Sequence, residues 1–249
     1  MSVGRGSRAT EAPARTAITR LFRNPPQLAL LATLLGPQRS SSRVRIYGVA
    51  DGAEAVSLLV ALAPPEHATL AIEGVDISEA YLHAAEELVF TREHFAEGVD
   101  PADHHNYLEA VDDGWRLGSP WRRFLRFSHG DVLDAGHAAP VDLVMCQNTL
   151  VGFPAGDAAR AVAGLVAEVR PGGLLAVGGG QLDVVPAAVR SHGLAPVLDD
   201  VEAIHEAWVV QRRFYDNPRR PWWALEPFDP DHRDGPTRYC TVFRKAVDP

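Results

Sequence analysis

Two cysteines, Cys146 and Cys240, are all that this chain of 249 residues carries. They are too few for a disulfide framework or a cysteine zinc site, and the scarcity fits a reducing cytoplasm. No apolar run approaches the ~20 residues that cross a bilayer. Basic residues are outnumbered, 24 Lys and Arg against 32 Asp and Glu, for a net charge of -8. That balance excludes a general nucleic-acid binder, because phosphate recognition needs a basic footprint. Residues 1–15, rich in Arg, Ser, Ala and Gly, lack the apolar core of a secretory signal. They read as a disordered tail, with a transit-type peptide the other reading that composition allows. The remainder has the make-up of an ordinary globule and the length of one large α/β domain.

The chain divides into a helical segment at 16–42 and a domain at 43–249. In the first, Ile18, Leu21, Phe22, Leu28, Leu31 and Leu35 keep a helical period. Pro25-Pro26 is expected to break it into two short helices. In the second, strands are expected at 44–49, 70–76, 124–127, 141–147 and 174–177. Helices fall between them, at 53–62, on the face formed by Tyr81, Leu82, Ala85, Leu88 and Val89, and on the stripe from Ala158 to Val169. Pro171-Gly172-Gly173 is expected to end that last helix. The stretch 98–119 is polar and gives no assignment. Beyond it come a helix at 184–190, a strand at 194–197, a helix at 199–214, a Pro/Trp-rich loop at 215–236 and a closing strand at 238–244. Strands alternating with helices at this spacing imply a parallel sheet covered by helices on both faces, with ligands at the carboxyl ends of the strands.

Gly48, Ala50 and Gly52 follow the first apolar strand and precede a helix. Glycine lets a backbone come close to a ligand, and the free N–H groups of a helix start favour a carboxylate or phosphate. Asp76 ends the next strand, where an acid accepts hydrogen bonds from ribose hydroxyls. Asp131 and Asn148 end two further strands, so with Gly48 four positions, three of them polar, converge on one sheet edge.

In this order the motifs resemble the class I S-adenosylmethionine (SAM) methyltransferases, and more narrowly the chemotaxis receptor glutamate methyltransferase (CheR) family. The resemblance rests on Thr19-Arg20-Leu21-Phe22-Arg23, on the turn from Gly48 to Ser57, on Gly74-Val75-Asp76-Ile77 and on Cys146-Gln147-Asn148-Thr149-Leu150 with Pro171-Gly172-Gly173 behind it. It implies a Rossmann-like sheet, mostly parallel with an antiparallel closing strand. It implies SAM as cofactor and S-adenosylhomocysteine as product. The cofactor-binding set it implies is Gly48, Ala50, Gly52, Glu54, Asp76, Ile77, Asp131, Val132, Asn148 and Thr149. Asp76 would hold the ribose, Glu54 would face the methionine amino group, and Asp131-Val132 would flank the adenine. Arg23 and Gln147 are the residues it places nearest the reaction.

The chain departs from the family on the acceptor side. Gln147 stands for its arginine and Gly152 for its tyrosine. No stretch matches its receptor-docking insertion, and only 16–35 precedes the sheet where the family has a helical domain. These departures point to a small molecule or peptide methylated on oxygen or nitrogen. They leave two alternatives: an aminocarboxypropyl transfer or cyclisation that releases methylthioadenosine, and a silent SAM-binding protein.

A carboxylate acceptor needs no general base, only a cation such as Arg23 to position it. An amine or alcohol needs one, and His129, His205 and Tyr215 are the loose candidates. Arg219, Trp222 and Trp223, with Tyr215 and Arg23, form the candidate acceptor pocket, since aromatics and guanidinium clamp planar or anionic molecules. An ordered loop pinned by buried tryptophans accounts for the same residues. His104-His105 lacks further ligands at metal spacing, so no metal is expected. The oligomeric state is open.

Overall fold

The computed structural model describes residues 19–36, 41–65, 67–96, 98–151, 153–178, 191–212 and 226–247. One helix, α1 (Pro25–Leu35), stands where two were expected. Pro25 and Pro26 occupy its first turn, where a missing N–H costs nothing. Asn24 caps it, its side chain accepting the Gln27 N–H at 3.1 Å. The prolines therefore start a helix rather than divide one.

The sheet is laid down by β1 (Arg43–Tyr47), β2 (Ala71–Asp76), β6 (Leu125–His129), β7 (Val141–Cys146), β8 (Val169–Val177), β9 (Leu194–Pro196) and β10 (Val242–Lys245). Their order is β6-β2-β1-β7-β8-β10-β9. β1 pairs in parallel with β2 and β7, β2 with β6 and β7 with β8, while β10 runs antiparallel to β8 and β9. The helices α2 (Ala53–Leu62), α3 (Glu79–Glu87), α5 (Ala155–Ala167) and α6 (Val201–Arg212) connect them.

Two cores follow from the period of two along each strand. Val44, Ile46, Leu143, Met145, Leu174 and Ala176 face the core shared with α1 and α2. Tyr47, Val144, Cys146, Leu175 and Val177 face the one shared with α5. α5 stops at Ala167, and Pro171-Gly172-Gly173 lies inside β8 as a register irregularity rather than behind the helix as expected.

Between α3 and β6 the chain builds what the sequence left unassigned. β3 (Val89–Phe90), β4 (Leu108–Val111) and β5 (Gly114–Leu117) form a separate antiparallel sheet in the order β3-β5-β4, followed by the single turn α4 (Ser119–Arg122). Val89, expected on the helix, instead pairs with Arg116, because Leu88 turns to φ +52° and ends α3. Residues 184–190 lie outside the described residues. Among the described residues no helix is long and apolar enough to cross a membrane.

One buried polar network locks the α5 face. Glu168, only 1% exposed, accepts from Arg45 at 2.8 Å, from the Tyr47 hydroxyl at 3.0 Å and from the Gly136 N–H at 2.8 Å. Burial opposes its charge, but these donors win and hold the carboxyl below its usual range. A lowered pKa adds stability above the unfolded value, and that stability is lost as pH falls through the folded one. Glu168→Gln takes the buried carboxylate from Arg45 and leaves it Glu73, at 2.9 Å, as its one remaining charged partner among the described residues, so a loss of about 2 kcal/mol is expected in urea unfolding at neutral pH. The gap between variant and wild type should narrow on acidification.

Candidate active site

The glycine turn is held open by Asp76. Gly48 and Val49 donate to the Val75 carbonyl at 2.8 and 3.2 Å, continuing the β1–β2 ladder into the turn. Asp76 then takes the Ala50 N–H on one oxygen and the Ser78 N–H on the other, both at 2.9 Å. This contact helps hold Ala50 at φ +49°, an uncommon value for a residue with a Cβ. Each Asp76 oxygen keeps a lone pair for a further donor. The carboxylate is buried at the carboxyl edge of the sheet, next to Ile77, which is 62% exposed.

Packing also requires glycine at position 48. A Cβ there would lie 2.1 Å from the Thr149 Oγ1. Thr149 folds over the turn, with its hydroxyl 3.3 Å from the Tyr47 carbonyl and 3.2 Å from that of Gln147. Its side chain is thus spent on closing the β1–β7 edge. Asn148, at φ +55°, packs so tightly on Gly178 that a Cβ there would meet its Oδ1 at 2.6 Å. Gly52, at φ +85°, starts α2 against Phe127 and Leu88.

α1 lies across the carboxyl edge through a relay of amides. Gln27 Nε2 donates to the Val177 carbonyl at 3.0 Å and to the Thr241 hydroxyl at 2.8 Å. A carbonyl can only accept, so Gln27 must present its oxygen to Gln147, whose Nε2 donates to it at 2.7 Å. Gln147 is 7% exposed, and its Oε1 is buried without a hydrogen-bond partner. Glu54 stands in the first turn of α2. Burial pushes its carboxyl up to about 7, and the charge of Arg23 pulls the other way. Asp76, Gln147 and Asn148 stand at the carboxyl ends of β2 and β7, on either side of β1, and Glu54 opens the helix behind the turn with Arg23 close enough to act on it.

Asp131 caps a turn of 3₁₀ helix, accepting the Leu133 N–H at 2.9 Å, and Val132 behind it is buried. Gly130 ties that turn to the Asp76 carbonyl at 3.0 Å. Tyr215, Arg219, Trp222 and Trp223, like Gly152, lie outside the described residues. His129 ends β6 on the surface. His205 is fully buried, its Nε2 2.7 Å from the Glu226 carbonyl, and burial lowers its pKa; it is a core histidine. No group of metal-binding side chains occurs among the described residues. Sequence reasoning missed His94 and gave Asp51 no role. The two meet at 3.3 Å at the mouth of the turn, and the only local signal is the spacing from Thr91 to His94, a capping box.

The sheet order, the antiparallel β10 and an acid-locked turn at the carboxyl edge are the fold of the class I SAM-dependent methyltransferases. Its acids suit a cationic cofactor, and the exposed Ile77 offers an apolar flank beside Asp76. The chain belongs to the CheR family: the model for the CheR methyltransferase SAM-binding domain matches residues 17–188. Among curated proteins it is similar to the "Probable biofilm formation methyltransferase WspC" of Pseudomonas aeruginosa, 27% identical over 191 residues, covering 72% of this chain and 44% of that protein. A chemotaxis protein methyltransferase of Listeria monocytogenes is 27% identical over 99 residues, covering 40% of this chain and 37% of that one. The chain therefore spans less than half the length of either relative. Among solved structures it is similar to SAM-bound CalS10, an amino pentose methyltransferase from Micromonospora echinaspora (19% identity, 61% and 48% coverage, TM-score 0.38). It is also similar to the [4+2]-cyclase SpnF (13% identity, 90% and 81% coverage, TM-score 0.47).

Proposed function

We propose that this methyltransferase acts on a carboxylate oxygen, carried by a peptide or a small molecule and positioned by Arg23. The observation that carries the reading is Arg23 itself, a cation set close enough to the glycine turn to act on Glu54. Bound SAM supplies an activated methyl group on a sulfonium. The protein's part is alignment, desolvation and charge. Asp76 holds the ribose, Glu54 faces the ammonium of the methionine part, and Asn148 lies beside that part. Arg23 pairs with the acceptor carboxylate and turns one oxygen toward the methyl group. An ionised carboxylate is already a nucleophile, so no proton has to be removed from it.

Gln147 favours a second reading. Its unpartnered Oε1 at the same sheet edge can only accept a hydrogen bond, so it fits an acceptor bearing an N–H or O–H. Product chemistry separates the two. With tritiated SAM and an extract offering peptides and small acids, the carboxylate reading expects label that base releases as volatile methanol, with S-adenosylhomocysteine formed alongside. Label that survives base moves the assignment to nitrogen or hydroxyl. Methylthioadenosine in place of S-adenosylhomocysteine would rule out methyl transfer altogether.

A further inference from the structure

The segment 19–24 carries Arg23 and is anchored almost residue by residue. The Thr19 hydroxyl donates to Asp51 Oδ2. Leu21 gives its N–H to the His94 carbonyl at 2.5 Å and takes the Ala96 N–H at 3.2 Å, a one-residue parallel bridge to Phe95. Phe22 donates to Ser57 Oγ at 2.8 Å, and its ring stacks on His104 with centroids 4.0 Å apart. Asn24 caps α1 and donates to the Ile204 carbonyl at 3.0 Å. Arg23 is thus held between two fixed neighbours.

Asp51 joins this segment to the glycine turn. One oxygen accepts the Ala53 N–H at 3.1 Å, an ordinary duty at a helix start. The other does something a helix start does not need: it takes Thr19 and faces His94 Nε2 at 3.3 Å. The His94 ring is oriented for this, because its Nδ1 accepts the Thr91 N–H at 3.0 Å and so leaves the proton of the neutral ring on Nε2. Asp51 also follows Ala50, whose N–H is bound by Asp76. The clamp and the ribose acid therefore act on adjacent residues.

We propose that Asp51 and His94 are positioning residues for methyl transfer: their pairing clamps segment 19–24 across the glycine turn and so sets Arg23 beside Glu54. The inference rests on Glu54 facing the cofactor. The charged groups around the clamp are Asp51 and Glu93 on His94, with Arg23 acting on Glu54.

Titration of SAM into the whole chain between pH 5.5 and 8.5 tests it without knowledge of the acceptor. Asp51→Asn keeps an oxygen for Ala53 but puts an NH2 where Thr19 and His94 need an acceptor. His94→Leu removes the donor from the other side, and His94→Gln restores one. If Arg23 is released, Glu54 loses its cation, so the midpoint of the binding profile should rise by about half a pH unit or more in Asp51→Asn and His94→Leu. It should rise as far in Arg23→Leu and no further in Asp51→Asn/Arg23→Leu, and His94→Gln should resemble wild type. Circular dichroism and melting temperature confirm that each variant folds. A midpoint unmoved in the folded clamp variants, with Arg23→Leu shifted, overturns the proposal. An unmoved Arg23→Leu also overturns it, by removing the coupling it depends on. A flat wild-type profile instead removes the placement of Glu54 at the cofactor, which is a different failure.

Discussion

Asp76→Ala is expected to weaken SAM and S-adenosylhomocysteine binding by about a hundredfold or more, the largest single loss at this site. Two or more hydrogen bonds to a carboxylate disappear together, each worth roughly 1.5–3 kcal/mol. Asp76 also holds the turn, since its removal frees the N–H groups of Ala50 and Ser78. Ala50 then has less to keep it at φ +49°, and the melting temperature should fall as well. Asp76→Asn is expected to behave almost as badly, although it is isosteric. Both carboxylate oxygens accept a backbone N–H, and an amide must turn its NH2 toward one of them. Calorimetric titration with S-adenosylhomocysteine reads the affinity. Wild-type binding by a folded Asp76→Ala protein would remove Asp76 from the ribose role and leave the turn as architecture alone.

The place of Asp76 at the sheet edge was legible in the sequence because local pattern sets it. A strand, a turn with positive φ and an acid at the end of the neighbouring strand each leave a mark in residue type. One duty of the turn left no such mark. Gly48 is glycine to admit Thr149, a contact between strand ends about a hundred positions apart, and no pattern near residue 48 reports it. The Gln27–Gln147 relay and the Asp51–His94 pairing are invisible for the same reason: each joins residues whose neighbourhoods say nothing of the partner. Pro25-Pro26 carried a real ambiguity, because proline both breaks a helix and begins one, and only the Asn24 cap decides. The small sheet at β3–β5 escaped because strands of two and four residues are too short for alternation to rise above the polar background.

Glu54 gives the second large effect, and its sign differs between folding and binding. Burial raises its pKa to about 7 from an ordinary 4.5. Between those values the folded chain keeps a proton that the unfolded chain has lost. Stability without cofactor therefore falls as pH rises through that window and levels off above it. Glu54→Gln has no charge to bury, so at pH 8 the free variant should melt higher than wild type. Binding runs the other way. A carboxylate facing the methionine ammonium must be ionised, so SAM affinity should be full above pH 7 and fall about tenfold per pH unit below it. At pH 6 the binding event itself expels the proton. Calorimetry in buffers of different ionisation enthalpy should report nearly one proton released there and little at pH 8.5. Glu54→Gln should bind SAM weakly, with no pH dependence across this range and no proton released. A variant that is more stable when empty and poorer at binding is the behaviour of a charge retained for its ligand at a cost to the fold. If Glu54→Gln melts higher but still binds SAM with wild-type affinity and proton release, the buried carboxyl belongs to the core, and the methionine ammonium is held by another group.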